Sequence, residues 1–307
     1  MFRATTVLSA TAPFRLDLTA WALRRRSKNT VDRWNGAQYN RIIVLDNKPA
    51  KLTVTQETRA GEPALVVVVE SETVLGHRIK REVGPLVRRM LGLTVDLQPF
   101  YVLATKNDLL RAIVEKFHGV RPPQFASVFE GLINAIACQQ VTLDLGILLI
   151  NRLSDNFGVR LVDHDLALHA FPEPADLAAA PEEAVKALGF SYQKARAIKE
   201  VATNVAENRT DLVSLGGMTN KDAVEYLSTI RGIGRWSAEY VLLRGLGRLD
   251  TFPGDDIGAQ NNLQRLFDLE SKPNYEKIRQ LTSRWHPYEG VVYFHLLLEK
   301  LSTKGVI

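Results

Sequence analysis

The sequence predicts an α+β protein, in which an antiparallel sheet domain over residues 1–121 precedes an all-helical region over residues 122–307. Short runs rich in Val, Ile and Thr are confined to the first third of the chain, where turn residues separate them. Amphipathic patterns of helical period follow from residue 125 onward. Because proline disfavours helix at itself and at the residue before it, Pro122 and Pro123 mark the boundary.

Three strands are expected in the first domain, over residues 41–45, 51–56 and 64–70. The segments between them, 47–49 and 61–63, carry Asn, Gly and Pro, which favour tight turns. Such short connections predict antiparallel neighbours. A helix that starts near Gly84 and Pro85 should cover the sheet, since apolar residues recur there at helical spacing: Val83, Leu86, Val87, Met90 and Leu91.

Nine helices are expected in the second region, because apolar residues recur there three and four positions apart. Their ranges are 128–138, 143–157, 181–188, 194–205, 222–230, 236–246, 257–267, 275–285 and 288–301. Hydrophobic residues make up 46% of the chain and charged residues 24%, as in a globular protein, which excludes a disordered or fibrous chain.

Charge and cysteine content limit the kinds of partner and of metal or disulfide site that the protein could have. The net charge of +5 and the pI of about 9.3 suit a polyanionic partner. The single cysteine, Cys138, excludes an intrachain disulfide, a cysteine-rich zinc site and a four-cysteine iron–sulfur cluster. No apolar run approaches the roughly 20 residues of a membrane span, and residues 1–14 lack the apolar core of a secretory signal. We therefore expect a cytoplasmic protein without a membrane partner.

Two helical patterns meet at Gly232-Ile233-Gly234, with a turn of only about four residues between them. Glycine permits positive φ and leaves no Cβ in the way, so amides at the start of the second helix can point at a phosphate. A tight corner whose glycines serve packing alone is the alternative. On the second helix, Trp236 and Tyr240 share a face and could hold a flat aromatic ligand, unless both rings are core residues.

Asp255 and Asp256 follow Phe-Pro-Gly at the start of the next helix. A carboxylate there is suited to an N-cap, because it accepts backbone amides and interacts favourably with the helix dipole. We expect one of the two to cap the helix. The other would face the cavity under Trp236 and Tyr240, as a fixed negative charge beside a cationic reaction centre.

Together these motifs resemble the helix-hairpin-helix DNA glycosylase superfamily, and within it the 3-methyladenine DNA glycosylase II branch. The resemblance rests on the hairpin glycines with Trp236, and on Asp256 twenty residues later. It extends to Phe129-Glu130, to Cys138-Gln139-Gln140-Val141-Thr142, to Leu188-Gly189-Phe190 with Lys194-Ala195, and to the strand-rich N-terminus. The resemblance implies two helical lobes around a cleft, with the hairpin at residues 222–247.

The resemblance also implies roles for individual residues. Gly232, Gly234 and Arg235 would bind DNA phosphate, and the backbone carbonyls of Ser228, Ile230 and Ile233 are in register to hold a monovalent cation. Gln140, with Gln139 beside it, would fill the gap that a flipped nucleotide leaves. Asp256 would stabilise the oxocarbenium-like state in which the glycosidic bond breaks. Trp236 and Tyr240 would favour a positively charged alkylated base through cation–π attraction.

Four further expectations concern residues around this constellation. Trp236 stands where strand-cutting relatives carry a lysine nucleophile, which implies a monofunctional enzyme. Leu297 falls in register with a third pocket aromatic that a bacterial member of the branch carries. The nearby Trp285, His286 and Tyr288 could replace it, although we interpret Trp285 and Phe294 as core residues. We interpret the cluster from Trp21 to Arg26 as a solvated basic face, and Lys194 and Lys199 as surface residues.

The resulting hypothesis is a monomeric, monofunctional DNA glycosylase that excises alkylated purines from damaged duplex DNA, flips the base and requires no cofactor. Two alternatives remain open at this stage. One is a glycosylase for deaminated or oxidised bases, and the other is a DNA-damage-binding module that has lost catalysis.

Overall fold

Five strands form one antiparallel sheet near the N-terminus of the computed structural model, which describes residues 2–72, 76–163 and 166–307. They are β1 (Phe2–Ser9), β2 (Arg33–Trp34), β3 (Gln38–Leu45), β4 (Lys48–Arg59) and β5 (Glu62–Ser71), in the spatial order β1-β5-β4-β3-β2. The three predicted strands are confirmed as the three central ones. The edge strands β1 and β2 were not predicted.

The β3–β4 turn is tighter than the sequence predicted. Asp46 and Asn47 form a two-residue turn with φ values of 51° and 56°, and Pro49 already pairs with Val44 inside the ladder. Two successive positive φ values match the twist of a hairpin, and Asp and Asn tolerate them better than most residues. The turn therefore begins one residue earlier than the predicted segment 47–49.

Helices make up most of the remaining chain. In chain order they are α1 (Leu16–Arg24), α2 (Gly84–Met90), α3 (Gln98–Thr105), α4 (Asp108–Lys116), α5 (Val128–Cys138), α6 (Leu143–Phe157), α7 (Pro174–Ala179), α8 (Glu182–Ala187), α9 (Tyr192–Ala206), α10 (Asn220–Ser228), α11 (Arg235–Arg244), α12 (Ile257–Leu266), α13 (Tyr275–Thr282) and α14 (Glu289–Thr303). A π-helical turn, Ile79–Val83, leads into α2, and 3-10 turns lie at Ser214–Gly217 and Ser283–Trp285. The predicted α+β class is confirmed.

The expectation of a purely helical second region needs one correction. Two short strands, β6 (Arg160–Asp163) and β7 (Leu166–His169), pair there as an antiparallel hairpin. The Lys51 ammonium on β4 lies 2.5 Å from the Asp163 carboxylate, which ties this hairpin to the main sheet. Strands of four residues are too short to show a reliable alternation in the sequence.

Side-chain caps define several helix starts. Ser127 accepts the Glu130 amide at the start of α5, and Thr142 accepts the Leu145 amide at the start of α6. Each such bond satisfies a backbone donor that has no partner within its helix. The α5 and α6 bounds agree with the sequence prediction.

Two large hydrophobic cores hold the described part of the fold together, and each contains residues from both sides of position 121. One packs the sheet and α2 against α5 to α11, and the other packs α1, α3 and α4 against α12 to α14. The boundary at residues 121/122 stays a prediction. Because α1 is enclosed between sheet and helices, the residues after its last turn enter the interior of the protein.

None of the helices in the described ranges is both long and apolar enough to cross a membrane.

Candidate active site

A cavity of about 1440 Å³ opens where α5 ends, where α10 turns into α11, where α12 begins and along α14. All eleven residues to which the resemblance assigned a role in catalysis, base binding, DNA binding or cation binding border it: Gln139, Gln140, Ser228, Ile230, Gly232, Ile233, Gly234, Arg235, Trp236, Tyr240 and Asp256. The fold thus brings together residues spread over more than a third of the chain.

The two glycines of the hairpin turn have different roles: Gly232 shapes the turn, and Gly234 leaves the start of α11 uncovered. Gly232 has a φ of 81°, and a Cβ added there would lie 2.8 Å from the Ala197 Cβ, so this position tolerates no side chain without a shift. The Ile233 amide donates to the Ile230 carbonyl at 3.0 Å and closes the turn. Gly234 precedes α11, and a Cβ added to it would meet nothing within 4 Å. The amides that begin α11 are therefore sterically accessible to an anion.

Arg235 is already engaged within the protein. Its Nε donates to Asp255 Oδ2 at 2.8 Å and its Nη2 to Asp255 Oδ1 at 3.1 Å. Its guanidinium also lies 3.6 Å from the centre of the Tyr275 ring. Arg235 therefore fastens the hairpin to the segment before α12, and a phosphate would have to share it with Asp255.

Asp256 combines the two roles that the sequence assigned to separate carboxylates. Its Oδ1 accepts the Ala259 amide at 2.8 Å and caps α12, while its Oδ2 accepts the Tyr293 hydroxyl at 3.2 Å. The expected division between a capping and a cavity-facing aspartate is therefore wrong, since Asp255 pairs with Arg235. Burial and the Asp256 charge raise the pKa of Tyr293, so the phenol stays protonated and remains a donor.

Tyr293 is a site residue that sequence reasoning missed. It borders the cavity one helical turn before Leu297, which also borders it as predicted. The proposed substitutes for the third aromatic lie outside the cavity lining: Trp285 is fully buried against Phe267, and His286 contacts Glu289. The i, i+4 relation of Tyr293 to Leu297 was the available signal.

Trp236 and Tyr240 stack on each other, with ring centroids 5.3 Å apart and an angle of 29° between the planes. Tyr240 is 3% exposed and belongs to the core, whereas Trp236 is only half-buried. Tyr240 is therefore mainly a core residue, and Trp236 provides most of the aromatic surface that a ligand could contact.

Arg25 reaches the floor of the cavity from the end of α1. Its Nη1 donates to the Tyr240 hydroxyl and its Nη2 to Asn134 Oδ1, each at 2.6 Å. A left-handed backbone at Arg25, with a φ of 62°, ends α1 and turns the side chain inward. Burial opposes this charge, yet interactions with Tyr240 and Cys138 leave the pKa of Arg25 above its ordinary value.

The interpretation of residues 21–26 as a solvated basic face is therefore wrong. Arg24 is also buried, and its Nη1 donates to the Trp34 carbonyl at 2.8 Å. Arg26 pairs with Asp144 at 3.1 Å on the cavity lining. The sequence could not indicate this, because α1 itself was not predicted.

A second buried guanidinium lies behind the aromatic pair. Arg244 is fully buried, and its Cζ is 5.7 Å from the Tyr240 ring centroid and 5.0 Å from that of Phe125. Its Nη2 donates to the Ala22 carbonyl at 2.9 Å. Tyr240 is thus flanked by two arginines, which oppose the rise that burial causes in its pKa.

The turn after α5 is held from two sides. The Gln139 side chain donates to the Gly232 carbonyl at 2.6 Å and to the Ser237 hydroxyl at 2.7 Å. The Lys194 ammonium donates to the Gln139 carbonyl at 2.6 Å and to the Ala137 carbonyl at 3.1 Å. Gln140 is exposed, with a φ of 52°, so its side chain is the one at this turn that projects freely.

The interpretation of Lys194 and Lys199 as surface residues is therefore wrong, because the amine of each is hydrogen-bonded to backbone carbonyls. Lys199 donates to the carbonyls of Ala178 and Ala180 and so caps the end of α7. Both amines act on helix ends, where carbonyl groups lack partners within the helix.

The chain is similar in sequence and in fold to known proteins. The sequence profile described as HhH-GPD superfamily base excision DNA repair protein matches residues 133–287. The chain is 29% identical to the putative DNA-3-methyladenine glycosylase YfjP of Bacillus subtilis over 94% of this chain and 96% of that protein. It is 31% identical to DNA-3-methyladenine glycosylase 2 of Escherichia coli over 58% of this chain and 60% of that protein. The solved 3-methyladenine DNA-glycosylase from Archaeoglobus fulgidus superimposes with a TM-score of 0.80 at 26% identity, covering 97% of both chains.

Proposed function

The chain belongs to the HhH-GPD superfamily of base excision DNA repair proteins, and we propose that it is a monofunctional glycosylase that releases alkylated purines of the 3-methyladenine type from duplex DNA. The resemblance seen in the sequence is thereby confirmed. The observation that carries the proposal is the position of Asp256, fixed at the start of α12 in the same cavity as Trp236 and the open hairpin amides.

The cavity suits a nucleotide turned out of the duplex. A glycosidic bond inside a stacked duplex cannot be reached, so the damaged nucleotide must leave the helix before it can react. Small-molecule sites commonly enclose ~300–1,000 Å³, and the cavity of about 1440 Å³ has room for a base and its sugar. Gln140 would occupy the vacated space in the duplex, since its turn is anchored by Gln139 and Lys194.

We expect Asp256 to act on the sugar. As the N-glycosidic bond breaks, its electron pair leaves with the base, and positive charge develops on the sugar ring. A carboxylate fixed by the Ala259 amide and the Tyr293 hydroxyl needs little reorganisation to stabilise that charge. Water then adds to the anomeric carbon and loses a proton to the solvent, which leaves an abasic site. Alkylation at a ring nitrogen makes the base cationic and hence a good leaving group.

The absence of an amine at position 236 supports hydrolysis without strand cleavage. An indole cannot form a Schiff base with the sugar. The Lys194 amine is held by two carbonyls at the turn after α5, which leaves it unsuited to attack.

The proposed reaction requires no cofactor. Ser228, Ile230 and Ile233 all border the cavity, and we propose that their backbone carbonyls would hold a monovalent cation. The Ile230 carbonyl uses one lone pair for the Ile233 amide, and its second lone pair is the one that a cation would use. A bound cation would add positive charge beside the phosphate. We propose a monomer that acts in the cytoplasm, where the DNA of a bacterial or archaeal cell lies.

A panel of duplexes with one lesion each tests the function. Purified protein is incubated with duplexes that contain 7-methylguanine, ethenoadenine, hypoxanthine, uracil or 8-oxoguanine, and then heated in alkali to break the strand at abasic sites. We expect breaks at the alkylated purines. Release of only deaminated or oxidised bases would contradict the proposed specificity, and binding without any release would indicate a damage-binding module.

A further inference from the structure

A group of cations lies on a part of the cavity rim that the proposed reaction leaves unused. Lys300 and Lys304 occupy the end of α14, and Arg26 follows α1; all three border the cavity. This rim is built from elements separate from the hairpin. It would therefore meet a different part of a bound DNA strand.

The charges on this rim are poorly neutralised within the protein. Burial lowers the pKa of Lys300, and the charges of Lys304 and Arg26 lower it further, although the Asp256 charge opposes this in part. Within the described ranges, the salt bridges include neither Lys300 nor Lys304, and the Asp144 partner of Arg26 is itself 70% exposed. Like charges held together in this way repel one another, and an anion bound between them would relieve the repulsion.

Lys300 is also close to the proposed reaction centre. A Cβ built on Gly258 would lie 3.0 Å from Asp256 Oδ1 and 3.6 Å from Lys300 Nζ, so carboxylate and ammonium approach the same point. A flipped nucleotide brings its phosphates towards Asp256, and the two negative groups repel each other. The Lys300 ammonium offsets that repulsion without being consumed in an ion pair with Asp256.

We propose that Lys300 and Lys304, with Arg26 beside them, bind the DNA backbone phosphate adjacent to the flipped nucleotide, as a second phosphate site distinct from the hairpin. The inference rests on the proposed function, because it requires a nucleotide turned into this cavity. The site recognises charge and carries no base specificity.

The test measures affinity for a duplex with a tetrahydrofuran abasic analogue at several salt concentrations. Each phosphate neutralised by the protein contributes about −0.9 to the log–log slope, which at 0.1 M salt corresponds to about an eightfold change in affinity. The variant with Lys300→Gln and Lys304→Gln should lose about one such contact. Lys300→Arg should keep it, since the charge is preserved.

Two controls sharpen the measurement. Lys277→Gln removes an exposed lysine of α13 that donates to Gln280 and lies outside the cavity lining, so it shows the effect of losing a charge away from the proposed site and should leave the affinity at the wild-type value. Duplexes with one uncharged methylphosphonate on either side of the analogue locate the contact. At one of these positions the methylphosphonate should weaken wild-type binding about eightfold and leave the double variant unaffected.

An unchanged salt slope in the double variant would overturn the inference. So would a methylphosphonate that weakens binding by the double variant as strongly as binding by the wild type, at both positions. Thermal unfolding of each variant confirms that it is folded. Failure of the proposed function looks different: the protein would release no alkylated base while its lysine-dependent affinity for the abasic analogue persisted.

Discussion

Replacing Asp256 by asparagine separates the two roles that the structure gives this residue. An asparagine can still cap α12, because its amide oxygen can accept the Ala259 amide that Asp256 Oδ1 now accepts at 2.8 Å. The Tyr293 hydroxyl, now a donor to Oδ2 at 3.2 Å, can rotate and accept from the new amide. The substitution therefore removes the negative charge and leaves the local structure intact.

The expected losses differ among three variants. Asp256→Asn should lower base release by about 100-fold or more, the effect of removing one preorganised electrostatic group, with little change in stability. Asp256→Ala should lower activity similarly and also cost about 1 kcal/mol of stability, since the cap is lost. Asp255→Asn removes a half-exposed ion pair with Arg235 and should cost at most about 1 kcal/mol, with a much smaller effect on the rate.

Single-turnover release of 7-methylguanine measures the chemical step, thermal unfolding measures stability, and binding to undamaged duplex shows that the DNA surface is intact. Full activity in Asp256→Asn would refute the reasoning. So would equal losses of rate in Asp256→Asn and Asp255→Asn, because Asp256 accepts the Tyr293 hydroxyl in the cavity, whereas Asp255, which also borders it, is paired with Arg235.

Further experiments test the hairpin, the turn after α5 and the hydrolytic mechanism. Gly234→Val should fold normally, since its Cβ meets nothing within 4 Å, and should weaken binding to every duplex alike; a Gly232 variant should instead lose stability. Lys194→Gln should lower both the melting temperature and the rate of base release, because two carbonyls lose a shared charged donor at a cost of about 1–3 kcal/mol; wild-type values in both measurements would contradict this role. Borohydride should trap no covalent adduct with damaged DNA; a trapped adduct would disprove the monofunctional mechanism and point to Lys300, whose amine borders the same cavity.

The parts of the fold that the sequence predicted well are those with strong local signals. The α5 and α6 helices agree to the residue, because their apolar period is sustained and Ser127 and Thr142 cap them. The helix α1 was missed although seven of its nine residues are buried, since a helix enclosed on several sides loses the polar face that reveals its period. The edge strand β1 was missed because it depends on pairing with β5, which is about 60 residues away.

The residues of the candidate site also differ in whether a local sequence signal predicted them. Sequence spacing brought Trp236, Tyr240 and Asp256 together, because the hairpin and the segment that follows it are local features. Arg25 and Tyr293 reach the cavity through the packing of α1 and α14 around α11. For Tyr293 the sequence held one signal, its position one helical turn before Leu297, whereas no pattern in the sequence indicates the inward turn of Arg25. The pairing of Arg235 with Asp255 was likewise hidden, since the two residues lie twenty positions apart and no local pattern indicates that they meet.

The two arginines around Tyr240 change how the aromatic pair would select a base. A cationic base over Tyr240 would meet the charge of Arg25 at its hydroxyl and that of Arg244 at 5.7 Å from the ring centre, and both repel it. Preference for positive charge must therefore come chiefly from the half-buried Trp236, whose indole is also the stronger cation–π partner. The Tyr240 oxygen accepts from Arg25, so the group that it offers to a base is its own proton. In this arrangement we expect Trp236 to supply stacking and charge preference, and Tyr240 to orient the base through a hydrogen bond.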